Sequence, residues 1–317
     1  MMKTVFLFVM LMSALLAQEF HFPKAHFIAS GGVHDILTYK NKLYAATDAS
    51  CVDIFDLKSQ QKISSISLDK IVDFMGEPID TTIFSVDVIQ EKVMLLSEGL
   101  KGYSRVSIYE NGKLSTLIKD ANHLAITKAK FIDAHTLLLA LLSDEIISYD
   151  IKKHRQNYRV DASASKFSDF VLSEDKSKLV LADESGDLQL LRTQDGKHLK
   201  SFTGKNLDDV FGVDFKKGII ATAGKDRRVV IYDTKHATVY YKKSSFFIYS
   251  VGLSPSGKRV AYSSDVHNNI TLFNTQTKET IAEFSGNKSP LSKILFIDED
   301  TFLVASAKNV INLYTIP

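Results

Sequence analysis

Tryptophan is absent from this 317-residue chain, and Cys51 is its single cysteine. A lone thiol excludes a disulfide framework, a zinc site of paired cysteines, iron–sulfur ligation and a CxxCH haem attachment. No charge of one sign prevails: 39 Lys and Arg stand against 37 Asp and Glu, for a formal net charge of +2. Such a balance gives no electrostatic case for nucleic acid or anionic lipid. Only seven of the basic residues are Arg, so the positive charge is mostly solvated ammonium rather than phosphate-gripping forks. At 45% hydrophobic and 24% charged residues, with 15 Gly and 5 Pro, the composition is that of a water-soluble globular chain, neither disordered nor collagenous.

A dense apolar run opens the chain. In Met1–Ala17, Lys3 precedes the run Val5–Met12, then come Ser13 and Ala14, and Ala17 stands before polar Gln18. This is the form of a secretory signal peptide, with an apolar stretch too short to span a bilayer comfortably. We therefore expect residues 1–17 to be a signal peptide and 18–317 to be one exported domain, in the periplasm and without a membrane anchor. No acylatable cysteine follows the cut. Cys51 lies in the strand-like run Ala49–Phe55 and reads as a small, half-buried hydrophobe.

The rest of the chain repeats. An apolar pattern with spacing three then two begins at Val33, Ile83, Ile126, Phe167, Val210, Ile248 and Leu291. A hydrophobic strand follows about ten residues later: LYAAT, VMLLS, LLLAL, LVLAD, IIATA, RVAYS and FLVAS. Each unit then ends in a large apolar residue, at Phe55, Tyr109, Tyr149, Leu191, Tyr232, Phe273 and Tyr314, in steps of 54, 40, 42, 41, 41 and 41 residues. A unit this short cannot bury both faces of its strands alone. Stacked radially and closed into a ring, seven of them can, and few edges are left exposed. The expected fold is all-β: a seven-bladed β-propeller.

The run Ala223-Gly-Lys-Asp-Arg-Arg-Val-Val-Ile-Tyr-Asp233 and the turn Ser254-Pro-Ser-Gly-Lys258 resemble the WD-repeat family of propellers, with Tyr in place of Trp. The resemblance is degenerate elsewhere. No repeat holds a Gly-His dipeptide, and these departures touch the Asp-His-Ser-Trp network that the family buries in its blades, not the propeller itself. Tyr or Phe still wedges between blades, over less area than Trp. The seventh repeat stops after its third strand at Tyr314–Pro317, and Phe20–Ala29 could supply its outer strand, capping an edge that invites aggregation.

Catalytic constellations are hard to find. The alignment places Asp35, Ser85, Lys128, Asp169, Gly212, Ser250 and Lys293 around the central channel, where two acids and two lysines are expected to neutralise each other. A divalent ion would want convergent carboxylates or carbonyls without lysines nearby. Three of the histidines, His154, His198 and His236, fall in outer turns or strands, and only His34 and His123 come near inner strands. Asp48, Asp144, Asp183, Asp226 and Asp265 recur in the turn before the third strand and read as turn formers bonding local N–H groups. No G-x-S-x-G, Walker or dinucleotide fingerprint occurs, and the lack of Trp counts against quinoprotein-type propellers. We expect no catalytic residue, cofactor or metal.

The repeat is broken at one place. The 54-residue step holds a longer approach to the second repeat, Asp69–Asp80, and a longer turn, Glu98–Arg105. Both open on the same propeller face, where loops on a rigid scaffold commonly carry function. Phe74, Met75, Glu77, Tyr103 and Arg105 are the candidate partner-binding residues, the aromatic, Met and Arg types among them being those enriched in interface cores. The alternative is that Phe74 and Met75 fold back to plug the channel or cover a blade. A second aromatic group, Tyr240, Tyr241, Phe246, Phe247 and Tyr249, is expected to pack in the core.

As a whole, an exported, Trp-poor propeller of this length is similar to the accessory proteins of periplasmic nitrate reductase systems. That resemblance implies a monomeric protein-binding module whose partners are periplasmic nitrate reductase subunits, supporting maturation or electron supply. Two alternatives stand beside it: a metal-dependent lactonase or hydrolase of the propeller type, and an outer-membrane assembly scaffold.

Overall fold

A computed structural model describes residues 19–317 of the protein; the expected signal peptide, residues 1–17, lies outside the described residues. Six four-stranded sheets, one five-stranded sheet and a small two-stranded ribbon make up the structure. The seven large sheets are the blades. Their inner strands are Val33–Tyr39, Ile83–Ile89, Ile126–Asp133, Phe167–Leu172, Val210–Lys216, Val251–Leu253 and Leu291–Phe296. Each packs against the next, and the last returns to the first, so the ring is closed. The expected seven-bladed β-propeller is the fold observed.

One apolar cluster fills each of the seven joints between neighbouring blades. A blade is therefore covered on both faces, which explains why second strands such as Leu43–Thr47 and Leu137–Leu141 are uninterrupted buried runs rather than alternating ones. Toward the axis the inner strand is a sheet edge, and its outward N–H groups need partners. Side chains of the preceding blade supply them. Asp35 accepts the Val86 N–H (3.2 Å), Asp87 that of Phe131 (2.7 Å), Asp169 that of Val213 (3.0 Å) and Asp214 that of Leu253 (2.8 Å). Ser250 Oγ accepts the Ile294 N–H at 2.9 Å, and Ser292 Oγ donates to the Val33 carbonyl at 2.8 Å across the closing joint. At the joint between blades 3 and 4, Lys128 Nζ meets Asp169 Oδ1 at 2.5 Å.

The N-terminal segment closes the ring as expected, and does more. Ala25–Ile28 pairs antiparallel with Val310–Thr315 as the outer strand of blade 7. Just before it, Phe20–His21 pairs in parallel with the outer strand of blade 6, Thr280–Phe284. Just after it, the Ser30 N–H and hydroxyl both donate to the buried Asp53 of blade 1. One short segment thus ties three consecutive blades. Phe27, fully buried in the joint between blades 7 and 1, meets Phe55 edge-on with ring centroids 5.5 Å apart.

Asparagine-centred networks stand in two blades where the sequence lacks Gly-His and Trp. Asn206 accepts from Thr222 Oγ1 (2.7 Å) and donates to Tyr232 Oη (3.2 Å). Asn287 accepts from Tyr314 Oη (3.2 Å) and from Asn312 Nδ2 (2.8 Å). Burial raises the pKa of both tyrosines and keeps them protonated, Tyr314 as a donor to Asn287 and Tyr232 as the acceptor from Asn206. Gly204-Lys-Asn206 and Gly286-Asn287, each just ahead of an inner strand, were the legible signal.

Phe27→Ala is expected to destabilise the protein by about 3–5 kcal/mol, the cost of emptying a large buried aromatic site. Phe22→Ala, at a position 65% exposed, should stay within about 0.5 kcal/mol. Urea unfolding of the two variants checks the contrast.

Candidate functional site

The extra residues ahead of blade 2 form the small ribbon. Ile71–Val72 pairs with Pro78–Ile79, and the tip is Asp73-Phe74-Met75-Gly76-Glu77. The tip is built by one carboxylate. Asp73 Oδ1 accepts the N–H groups of Met75 (2.8 Å) and Glu77 (2.9 Å), and its carbonyl accepts that of Gly76. Gly76 lies at φ +88°, a conformation that glycine adopts without strain. The base is braced as well: Ile71 is buried, Lys70 pairs with Asp80 at 3.1 Å, Ser50 Oγ donates to Asp80, and Thr81 Oγ1 donates to the Asp69 carbonyl. On this braced arm Phe74 is 97% exposed and Met75 75% exposed, with Val72 and Ile79 beside them also exposed. The two tip side chains do not plug the channel.

The second extension behaves differently. Leu100–Gly102 makes a single 3₁₀ turn, and the residues after it turn toward the connection that leads into blade 3. Arg105 pairs with Asp120 at 2.8 Å, and the Tyr103 ring lies 4.9 Å from that of His123. The Asp120 carboxyl is held at about 2 chiefly by the Arg105 hydrogen bond. Phe74, Met75 and Glu77 are thus brought together on one arm, and Tyr103 and Arg105 on a separate loop of the same face. Among the described residues no hydrogen bond, ion pair or ring contact joins the two groups.

Around the channel the expected ring is present: Asp35, Ser85, Lys128, Asp169, Gly212, Ser250 and Lys293 all line one cavity at its upper mouth. The charges do not cancel as a simple ring of two acids and two lysines would. Lys128 pairs with Asp169, but Asp35 takes its cation from the next tier, Lys130 Nζ at 2.9 Å. Burial acts to raise the Asp35 pKa, and Lys130, Lys293 and Lys128 outweigh it, holding the carboxyl at about 2. Burial lowers the Lys128 pKa, with Lys293 and Lys130 adding to it against the pull of Asp169. Among the described residues no group of three or more His, Cys, Asp or Glu side chains is placed to hold a metal ion.

Three expectations are corrected here. The aromatic group of residues 240–249 is core only in part: Tyr240 packs against the cluster between blades 5 and 6, and none of the five is fully buried. Tyr249 instead stacks on Phe211 (5.7 Å) at the channel mouth, with Phe246 and Phe247 packed behind it. Inner-strand alternation was the missed signal: His34, Phe84, Phe211 and Tyr249 occupy the position after the first anchor, which faces the mouth. Cys51 is buried rather than half-buried. Among the turn aspartates, Asp183, Asp226 and Asp265 bond local N–H groups as expected, whereas Asp48 accepts the more distant Gly32 N–H. Asp144 bonds none: it is fully buried at φ +65° with both oxygens unpartnered.

No protein-family model matches the chain, and no curated protein is similar to it. Among the described residues no helix is long and apolar enough to cross a membrane.

Burial, opposed by the nearby Ser163 hydroxyl and reinforced by the Asp183 charge, pushes the Asp144 carboxyl up from 3.8 to about 6. The folded state therefore holds this proton more tightly than the unfolded chain, and stability falls as pH rises from about 4 through 6, then levels. Asp144→Asn, which keeps the shape of the protonated acid and tolerates positive φ, should stabilise by about 2–3 kcal/mol at pH 8. The gain should vanish at pH 4. Chemical denaturation at the two pH values reads the difference.

Proposed function

We propose that this chain is an exported, non-catalytic protein-binding propeller of degenerate WD-repeat type, acting as a monomer in the periplasm. The observation that carries the reading is the hairpin tip. A protein that gains nothing from exposing Phe74 and Met75 would bury them or replace them, because exposed clusters of large apolar side chains invite aggregation. Here the backbone beneath them is held by Asp73 and by the Lys70–Asp80 pair. The tip is pre-organised, so little conformational entropy is lost on binding. Tyr103 and Arg105, on the neighbouring loop of the same face, widen the surface and offer the residue types that dominate binding energy in interfaces.

The overall resemblance to the nitrate reductase accessory protein NapL suggests the partner. In that reading the propeller docks on a subunit of a periplasmic nitrate reductase and supports its maturation or electron supply, without holding a cofactor itself.

Crosslinked capture of the tagged chain from periplasm under nitrate-respiring conditions tests both parts. A reductase subunit is expected, with recovery reduced at least tenfold by Phe74→Ser/Met75→Ser. Because both side chains are exposed, that variant should unfold at the same denaturant midpoint as the parent. Undiminished capture by the double variant would remove the hairpin from the interface. Absence of any reductase subunit would remove the nitrate assignment.

A further inference from the structure

The hairpin leads directly into the inner strand that begins at Ile83, so the face that carries it also carries the upper mouth of the channel. There a cavity of about 120 Å³ narrows from a rim of His34, Phe84, Phe211 and Tyr249 to a floor that includes Ser250 and Lys293. It has room for more than one water, or for a carboxylate and its adjoining carbon.

Most of the charges at this level are bonded to a partner. Asp35 is taken by Lys130, the Val86 N–H and Ser85 Oγ. Asp169 is taken by Lys128 and the N–H groups of Phe170 and Val213. Asp214, one tier below, accepts the N–H groups of Phe215 and Leu253 and faces Lys216 at 4.0 Å. Lys293 is left over: its ammonium makes no hydrogen bond, and no ion pair within 4 Å, among the described residues. Burial alone would lower its pKa, but the fields of Asp169, Asp35 and Asp214 raise it, so the group stays charged at neutral pH. Lys293 is partly buried, and an ammonium held only by the fields of more distant carboxylates leaves room for an anion to bond it directly. Further donors line the same cavity. Ser250 Oγ accepts the Ile294 N–H and keeps its own proton to give, and the Tyr249 hydroxyl has no acceptor among the described residues.

We propose that the upper mouth of the channel binds the carboxylate of an apolar acid, with Lys293 as its counter-charge, Ser250 as a second donor, and Phe84, Phe211 and Tyr249 around the adjoining apolar group. The aromatic rim is what favours a carboxylate on an apolar stem over a bare inorganic anion, which would leave those rings unused. The acid is either the C-terminus of a bound chain or a small molecule. This deepens the reading of the same face as a partner-binding surface.

Calorimetric titration of the purified chain tests it with acetyl-Ala-Ala-Phe as the free acid, the same tripeptide as its C-terminal amide, phenylacetate and sulfate. The free acid is expected to bind at least tenfold more tightly than the amide, and Lys293→Met to weaken it tenfold or more. Gly212→Ala should weaken it several-fold while leaving Lys293 in place, since a Cβ there would stand 3.9 Å from its nearest neighbours and project without strain. Tighter binding of the tripeptide acid identifies a chain terminus, and tighter binding of phenylacetate a small acid. Equal binding of acid and amide would overturn the proposal. So would sulfate binding as tightly as the acids, a folded Lys293→Met that binds as the parent does, or no binding of either acid at millimolar concentration. Should Lys293→Met fail to fold, Gly212→Ala and the acid–amide contrast decide. Phe74→Ser/Met75→Ser should leave carboxylate binding unchanged, so failure here and failure of the hairpin reading are told apart.

Discussion

The ring depends on how the axial edges of its sheets are satisfied. Every blade turns an edge strand toward the channel, and an edge strand carries N–H groups with no partner in its own sheet. In this protein the carboxylates of Asp35, Asp87, Asp169 and Asp214 each reach across a joint to accept one of them. A charge-assisted hydrogen bond of this kind is roughly twice as strong as a neutral one, and it fixes the register between neighbouring blades as well as their distance. The lysines of the channel follow from this: inward carboxylates need cations close by, and Lys128 pairs with Asp169, Lys130 with Asp35 and Lys216 faces Asp214. Acids that look like a ligand set in projection are first of all braces.

Around this axis the energetics are those of close-packed apolar layers. Seven clusters fill seven joints, so no blade has an independent core, and the stability of each depends on closing the ring. Closure across the last joint rests on Phe27, on Ser30 with Asp53, and on Ser292 with Val33. Tyr232 and Tyr314 fill less space between blades than Trp, yet they bring a hydroxyl into a site where Asn206 and Asn287 can bond it. Asparagine offers both a donor and an acceptor within one planar group, and in this way each network satisfies buried polar atoms that would otherwise be costly.

The two features of the face that carries the hairpin differ in physical kind. The hairpin presents apolar area on a stiff backbone, suited to an interface driven by desolvation. The channel mouth presents an ammonium with no bonded partner inside an aromatic collar, suited to recognising a single anionic group. Area contributes affinity, and a buried charge contributes discrimination, since a neutral ligand leaves it unpaired.

How much of this could be read along the chain follows from which forces are local. The forty-one-residue period, the buried second strands, the turn at Ser254–Lys258 and the completion of blade 7 by the N-terminal segment were all determined by hydrophobic spacing and turn chemistry, and the structure agrees with them. The channel ring was legible too, because strand alternation assigns a face to every residue. Pairing was not. That Asp35 takes Lys130 rather than a lysine of its own ring, that Lys293 has no bonded partner among the described residues, and that the Asp144 carboxyl takes no turn N–H where Asp183, Asp226 and Asp265 do are matters of distances between blades. Residues 35 and 130, or 169 and 213, meet only because the ring closes, and no local pattern encodes that. The hairpin divides the same way: its existence was visible as an excess over the repeat, whereas the exposure of Phe74 and Met75 was decided in three dimensions by the Asp73 turn and the braces at its base.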